Sequence, residues 1–354
     1  MDKAAYEYEK VESAKLLKAV RDSGVSEEDY RRVKKILYPH TDSDAIERTI
    51  KGLSEEDEFA LICRLMGTAT HLVALEQRSI IPGDYIIPDF LARLQPGCSV
   101  CGFGREDSSG FECLIEVKST SKDRFQIGGS RLRRLRDFAA TFDLPLLFAV
   151  RFLRFESNAV WVIVDASRQG GTSIKITIQD LIAGVRHILW DEVWYMVLPN
   201  TYFVSVFDST YNEPGVTHQD YGTLRELQIV SGDKAVSFTG AEATVYSAFF
   251  QAFHPTEVKV QKQDHLTYQF LAPRLLLCSM ADMVYIFNRL PRDEQGQTVY
   301  DASKMLAQLE PTLYDMSFID KVGASLAYQD LLFTVGFDDK DGYLEKWRLY
   351  GGKK

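Results

Sequence analysis

The chain has 354 residues, of which 45% are hydrophobic and 26% charged, and its net charge at neutral pH is −9. This length exceeds what one compact core usually needs, so two or three domains are expected, and the composition is that of a globular protein. The acidic balance argues against a nucleic-acid coat protein, which would be basic, and five scattered cysteines do not make a disulfide framework.

No apolar run is long enough to cross a bilayer, and the charged first ten residues lack the apolar stretch of a secretory signal. A cytoplasmic location without membrane attachment is therefore expected. Most of the acidity lies in residues 200–354, whose net charge is −6, whereas a cluster of positive charge lies in the middle of the chain.

Residues 1–50 are predicted to be helical, because Tyr6–Val20 and Glu27–Leu37 carry apolar residues at helical spacing. The next helix is expected to begin at Ser54, where Ser54-Glu55-Glu56-Asp57 resembles a capping box with acidic residues in the first turn. It is expected to end at Met66, because Gly67 follows.

Short strands separated by one helix dominate the next stretch, in which runs rich in β-branched and aromatic residues alternate with turn residues. Together with the preceding helix, they predict the order α-β-β-β-α-β-β. The predicted strands are His71–Leu75, Tyr85–Leu91, Glu112–Ser119, Pro145–Phe152 and Ala159–Val164, and the predicted helix is Ser130–Phe142.

The pattern changes at about Pro199, and the sequence predicts three regions: a helical segment (1–50), an α/β domain (51–198) and a separate mixed α+β domain (199–354). A helix is also predicted near Gln179–Leu189, and an apolar run covers Val193–Leu198. The elements predicted after Pro199 are the strands Tyr202–Phe207, Glu226–Val230, Ala235–Thr239 and Leu331–Phe337 and the helices Glu242–Phe253 and Ser303–Leu309.

One constellation of charged residues in the α/β region points to chemistry. Glu116 and Lys118 share one face of a predicted strand, an arrangement that by itself is more typical of a surface ion pair. Asp89 follows Pro88 inside an apolar run, where a carboxylate is unfavourable unless it is paired or binds a metal. Neighbouring strands carrying Asp89 and Glu116 would supply oxygen ligands for Mg²⁺, and Lys118 would orient a water or offset phosphate charge. The pattern predicts metal-assisted phosphodiester hydrolysis.

Pro88-Asp89, followed by Glu116-Val117-Lys118 27 residues beyond Asp89, resembles the motif of the PD-(D/E)XK nuclease superfamily. Residues 114–152 resemble its archaeal Holliday-junction resolvase branch, and the resemblance covers about residues 54–165. It implies a restriction-endonuclease-like αβββαβ core in which Asp89 and Glu116 bind Mg²⁺ (or Mn²⁺) and Lys118 assists the attacking water. It also implies a DNA substrate and a homodimer.

Members of this superfamily usually add a glutamate from the first helix, and the candidates here are Glu55, Glu56 and Glu58. At about 100° per residue, Glu58 lies within about 80° of the apolar residues that follow it in the helix, whereas Glu56 lies about 160° away. Glu58 is therefore predicted as a further metal ligand and catalytic residue. The alternative is that all these acids form an exposed helix start stabilised by the helix dipole.

Residues 118–136 contain seven positively charged residues and one negatively charged residue, Asp123. A basic face beside the site would hold a phosphate backbone without reading sequence, although charge runs are more often solvated helix faces. The residues predicted to contact the nucleic-acid backbone are Lys122, Arg124, Arg131, Arg133 and Arg134. Cys98, Cys101 and Cys113 lack a nearby fourth zinc ligand, so a turn with buried thiols is expected there instead.

The sequence thus predicts a Mg²⁺-dependent endonuclease that cuts DNA, either branched or invading. One alternative is a restriction-type or defence nuclease that a ligand or protein partner activates through residues 199–354. The other is an inactive nuclease fold used to bind nucleic acid or protein.

Overall fold

The computed structural model describes residues 3–38, 43–76, 83–95, 110–154, 160–166, 171–211, 215–288 and 314–337, and residues 302, 306, 342 and 346. Side chains are described within these ranges except at 3–11, 43–48 and 51. The expected turn at Cys98 and Cys101 lies outside these residues, as does most of the expected helix Ser303–Leu309. The described part of the chain is a mixed α/β structure with four β-sheets.

Three helices form the N-terminal part: α1 (Lys3–Asp22), α2 (Glu27–Leu37) and α3 (Ser43–Met66). The first two confirm the predicted helices and pack on the beginning of α3 through a small apolar cluster that includes Leu17, Tyr30 and Ile50. The helix start predicted at Ser54 is wrong by eleven residues. Ser54 lies inside α3, where its hydroxyl donates to the carbonyl of Ile50 instead of capping a helix.

A five-stranded sheet follows, with the strand order β1-β2-β3-β5-β6. Only β3 and β5 run parallel, and helix α4 makes the connection between them, as parallel neighbours require. The elements are β1 (Ala69–Ala74), β2 (Phe90–Leu94), β3 (Phe111–Thr120), β4 (Arg124–Gly128), α4 (Gly129–Thr141), β5 (Leu146–Phe152) and β6 (Trp161–Asp165).

The two faces of this sheet are covered by different helices. On one face, Phe59 and Ile62 of α3 share a core with Ile115 of β3. On the other face, Leu132 and Leu135 of α4 pack with apolar residues of β5. The residues of β3 therefore alternate between two buried faces, and every residue from Phe111 to Val117 except Glu112 is buried.

Two features of this region differ from the sequence prediction. The predicted strand Tyr85–Leu91 begins only at Phe90, because Pro88 has no N–H to donate to a sheet, and the segment before it bonds to α4 through Ile86 N and Arg134 O (3.3 Å). Strand β4 was not predicted; it pairs with β7 (Ser173–Thr177) in a separate two-stranded ribbon.

The helix predicted at Gln179–Leu189 is two short helices, α5 (Asp180–Ala183) and α6 (Arg186–Leu189). Gly184 separates them, and a Cβ atom there would collide with the carbonyl oxygens of Ile163 and Asp180. The close approach of this turn to β6 therefore requires glycine.

Two further sheets contain the rest of the chain. A six-stranded antiparallel sheet has the order β10-β11-β9-β14-β13, with β12 paired to β11, and a three-stranded sheet has the order β15-β8-β16. The elements are β8 (Trp194–Met196), β9 (Thr201–Asp208), β10 (Thr217–His218), β11 (Gly222–Ser231), β12 (Lys234–Thr239), α7 (Gly240–Gln251), β13 (Thr256–Gln263), β14 (Leu266–Ala272), β15 (Leu277–Ser279), α8 (Met280–Phe287), α9 (Met316–Tyr328) and β16 (Phe333–Val335).

The strands predicted at β9, β11, β12 and β16 and the helix predicted at α7 are confirmed. The β13–β14 hairpin and helices α8 and α9 were not predicted. Most residues of β13 are exposed and polar, with alternating Lys and Gln, so the strand lacks the apolar period on which a sequence prediction depends.

The hydrophobic core crosses the predicted boundary at residues 198–199. One apolar cluster includes Phe59 and Trp161 on the first side and Phe203 and Phe249 on the second. Strand β8 lies before the boundary, yet both of its sheet partners lie after it. The division into domains stays a prediction, and the two parts share a core.

A buried ion pair also joins the two parts. Arg186 donates to Glu192 (Nη2–Oε1, 2.7 Å), to the Ser279 hydroxyl (2.9 Å) and to the Trp161 carbonyl (3.2 Å). Glu192 also accepts from the backbone N–H of Ala281 at the beginning of α8 (3.0 Å). Arg186 and Glu192 are 1% and 3% exposed, so removing one partner would leave the other charge buried and unpaired.

No described helix is both long and apolar enough to cross a bilayer.

Replacing Arg186 by Met would leave the Glu192 carboxylate buried without its cation. The Arg186→Met variant should therefore lose about 3 to 5 kcal/mol of unfolding free energy, measured by urea denaturation. The matched control is Arg31→Met, which removes the exposed Arg31–Glu27 pair on α2 and should cost about 0.5 kcal/mol or less. A loss at Arg186 no larger than the loss at Arg31 would contradict the structural role of the buried pair.

Candidate active site

Asp89 lies directly before β2, at the point where this strand meets β3. Its carbonyl accepts from the N–H of Leu75 (2.9 Å), and its side chain accepts from the backbone N–H of Val117 (Oδ2–N, 2.7 Å). The β2–β3 register pairs Phe90 with Ile115, which brings Asp89 alongside Glu116. The backbone of two strands therefore fixes the position and orientation of this carboxylate.

Lys118 lies between the two carboxylates. Its Nζ is 2.8 Å from Glu116 Oε1 and 3.3 Å from Asp89 Oδ2. The Glu116 side chain is only 2% exposed, whereas that of Lys118 is 23% exposed, so the cluster is open to solvent on the lysine side. The structure thus brings together Asp89, Glu116 and Lys118, the three residues that the sequence motif singled out.

The electrostatics of this cluster follow from burial and crowding. Burial raises the pKa of Glu116, the charge of Asp89 raises it further, and the Lys118 ammonium opposes both. Burial alone would lower the pKa of Lys118, but the Asp89 and Glu116 carboxylates outweigh burial and raise it well above its ordinary value. Lys118 therefore keeps its proton in this site.

Glu56, on α3, belongs to the same electrostatic cluster. Burial raises its pKa to about 8, and the charges of Asp89 and Glu116 contribute to the rise while Lys118 opposes it. Burial is the largest cause of this rise, and the contributions of Asp89 and Glu116 mean that Glu56 lies within electrostatic reach of both carboxylates. The helical wheel favours Glu58 over Glu56, because Glu56 lies away from the apolar residues that follow it in the helix.

Glu58, the glutamate predicted from the helical wheel, points elsewhere. Its Oε1 accepts from Arg151 Nε (2.8 Å) and from the Trp161 indole N–H (3.1 Å). Arg151 is 3% exposed, so Glu58 neutralises a buried guanidinium. The helical wheel places Glu58 on the apolar face of α3, and in the structure that face leads to Arg151 and Trp161.

The predicted phosphate-binding residues divide into two groups. Arg131 Nη2 lies 3.5 Å from Glu116 Oε1, and its side chain is 56% exposed, so it borders the cluster; Lys122 and Arg124 are also exposed nearby in sequence. Arg133 and Arg134 lie further along α4 and both pair with Asp84 (3.5 and 3.0 Å). The last two therefore help to hold the segment before β2 against α4.

The donor set suits a hard divalent cation. Mg²⁺ takes one or two carboxylates together with water and phosphate oxygens, and Asp89 and Glu116 each place an oxygen within 3.3 Å of Lys118 Nζ. Burial and the neighbouring carboxylates raise the pKa of Glu56 and of Glu116, and a bound cation would favour the charged form of both groups. Within the described ranges, no three His, Cys, Asp or Glu side chains are already arranged around one point as a metal cluster.

No protein-family model and no curated protein matches this chain. Among solved structures, it is similar to the 1.6 Å resolution structure of Hjc, a Holliday junction resolvase from the archaeal hyperthermophile Archaeoglobus fulgidus. The identity is 19%, the match covers 38% of this chain and 89% of that chain, and the TM-score is 0.26. A likeness at this TM-score decides nothing about activity.

The raised pKa of Glu56 predicts a pH dependence of stability. In EDTA, the folded chain holds the Glu56 proton up to about pH 8, whereas the unfolded chain releases it near pH 4.5, so the free energy of unfolding should fall between these values. Glu56→Gln should reduce this fall, which urea denaturation at a series of pH values would measure.

The matched control is Glu112→Gln, at an exposed position on β3, which should follow the wild type at every pH. If Glu56→Gln lost stability with rising pH as steeply as the wild type, the Glu56 carboxylate would not be part of the cluster.

Proposed function

We propose that this chain is a metal-dependent nuclease that hydrolyses phosphodiester bonds in DNA, and that its site consists of Asp89, Glu116, Lys118 and Glu56. The observation that carries the proposal is the approach of the Lys118 ammonium to the Asp89 and Glu116 carboxylates at the junction of β2 and β3. Paired carboxylates beside a lysine, open to solvent on one side, suit metal-assisted hydrolysis of a phosphate ester.

Asp89 and Glu116 would hold the metal, with Glu56 completing the negative charge around it. A bound Mg²⁺ or Mn²⁺ supplies Lewis-acid stabilisation of the phosphate and lowers the pKa of water. The N–H of Val117 keeps the Asp89 carboxylate in place, so little reorganisation is needed when a cation binds.

Lys118 and Arg131 provide the positive charge on the solvent side. Because its neighbours hold the Lys118 proton tightly, Lys118 serves as a cation that orients water and balances the phosphate, and the role of a base does not suit it. Arg131 is already directed at Glu116 and is half exposed, so its guanidinium would contact a phosphate oxygen of the bound strand.

The nuclease test uses purified wild-type chain with Mg²⁺ or Mn²⁺ on duplex, branched and single-stranded DNA and on RNA. Cleavage of DNA is expected. Asp89→Asn and Lys118→Met should each lower the rate at least about a hundredfold, because each removes charge that the transition state needs. Glu112→Gln on the same strand should cut at the wild-type rate.

Three results would contradict parts of this proposal. Equal cutting by wild type and Asp89→Asn would show that the site is elsewhere. No cutting of any substrate would favour an inactive nuclease fold used for binding. Cutting only after addition of a ligand or protein would favour the activated defence nuclease.

Metal binding has its own test, which does not require activity. Mn²⁺ should raise the melting temperature of the wild type by mass action, because the folded chain holds the Asp89 and Glu116 carboxylates close together and the unfolded chain does not. Asp89→Asn should lose most of this rise, and Glu58→Asp, which keeps the partner of Arg151, should retain it. Equal shifts in wild type and Asp89→Asn would contradict Asp89 as a ligand.

The proposed partner is DNA, and a homodimer is proposed because cutting two strands of a branched or duplex substrate requires two sites. Light scattering of the protein alone and with DNA would measure the oligomeric state. A monomer in both conditions would contradict the dimer without affecting the site.

A further inference from the structure

A cavity of about 690 Å³ opens on the six-stranded sheet, far in sequence from the proposed nuclease site. It lies on the face opposite α7: Phe203 packs on Phe250 of α7, and the next residue, Val204, points to the other face and lines the cavity. Its size is in the range of ordinary ligand sites. The cavity is also lined by Gln228 of β11, Gln261 and Gln263 of β13, and Tyr268 and Phe270 of β14.

The strand register places the two aromatic residues side by side on this face. Phe270 pairs with Val204, and Tyr268 pairs with Val206, so both rings flank the central strand β9. Val204 and Val206 are 4% and 3% exposed and lie beside the two aromatic residues on the neighbouring strand. Residues two apart in a strand are about 7 Å apart, so the face offers two successive stacking positions.

Amides surround these rings on both sides. Gln228 pairs with Val204 from β11, and Gln261 pairs with Tyr268 from β13. Gln228 Nε2 donates to Glu226 Oε1 (2.9 Å), which uses one of the several hydrogen bonds that an amide can make. Gln261 and Gln263 are exposed. Such side chains read the edges of planar heterocycles, which present donors and acceptors together.

The charge on this face is small. Lys259 pairs with Phe270, and its Nζ lies over the Phe270 ring, 5.8 Å from the centroid, where a stacking base would displace it; Glu226 lies on the same face of the sheet, on β11. Lys262 also borders the cavity, but its ammonium lies over the ring of Tyr221 (5.6 Å). A ligand with many phosphates concentrated at one point would find too few cations here, whereas stacked bases with one phosphate near Lys259 would fit.

We propose that this face binds two consecutive bases of a single-stranded nucleic acid, stacked on Tyr268 and Phe270, with the glutamine amides at the base edges and Lys259 beside one phosphate. Stacking suits every base, so the site would hold a strand with little sequence preference. This inference goes beyond the proposed nuclease activity and does not depend on it.

The test is fluorescence anisotropy of a labelled oligothymidylate with the full chain in EDTA, which separates binding from cleavage. Wild type should bind. Tyr268→Ala and Phe270→Ala should each raise the dissociation constant about tenfold, the usual effect of losing one base–aromatic stack, and Tyr268→Phe should bind like wild type. The matched aromatic control is Tyr328→Ala on α9, a residue that is 92% exposed and should have no effect.

Two exposed substitutions keep the test independent of folding defects in the half-buried aromatic variants. Gln261→Glu should weaken binding several-fold by placing a second carboxylate beside the strand. Lys259→Ala should flatten the salt dependence, because one phosphate contact contributes a slope of about −0.7 to the plot of log affinity against log salt concentration. Melting temperatures would verify that each variant is folded.

Four results would overturn the proposal. The first two are no binding by wild type and equal binding by wild type and the folded Tyr268→Ala/Phe270→Ala double variant. The third is unchanged binding by Gln261→Glu, and the fourth is competition by thymidine monophosphate as strong as that by the oligonucleotide, which would assign the cavity to a free nucleotide. A failure of the nuclease proposal is recognised separately, because cleavage by wild type with Mn²⁺ does not enter this measurement.

Discussion

The burial of Glu116 in the middle of β3 is the constraint on which the site depends. A carboxylate with about 2% of its side chain exposed is unfavourable in a sheet core unless a cation reaches it, and Lys118, two residues along the same face, supplies that cation at 2.8 Å. Asp89 is then drawn to the same ammonium and fixed by the Val117 N–H. The apolar residues of β3 on both faces hold this arrangement rigidly, so the charged cluster has a defined geometry before any metal or substrate binds.

The part of the fold with strong local patterns could be predicted from the sequence. Strands β3, β5, β6 and β9 are apolar enough to be recognised, and α4 shows its buried stripe through Leu132, Leu135 and Ala139. What failed depended on tertiary context. Strand β13 is polar and exposed and forms because β14 pairs with it. Residues 180–189 have helical character, but the close approach of Gly184 to β6 divides them into two short helices.

The same contrast between local sequence pattern and tertiary context applies to single residues of the site. Asp89, Glu116 and Lys118 could be found because Asp89 lies inside an apolar run and because the order and spacing of the three residues resemble a known motif; Glu116 and Lys118 alone would suggest only a surface ion pair. A helical wheel could not decide which of Glu56 and Glu58 faces the charged cluster. The wheel identifies the buried side of a helix but not the residues that this side contacts. For Glu58, burial leads to Arg151, a residue 93 positions away, and that contact is invisible without the sheet order.

The continuous core determines whether the chain can be cut into stable fragments. Strand β8 finds both neighbours beyond residue 199, and Arg186 bonds to Ser279 and, through Glu192, to the beginning of α8. A fragment ending near residue 198 would therefore expose strand β8 without its sheet partners, remove Ser279 and the Ala281 N–H from the buried Arg186–Glu192 pair, and be prone to aggregation. The two parts are joined by packed side chains and not by a linker alone. A change of shape in one would therefore be transmitted to the other.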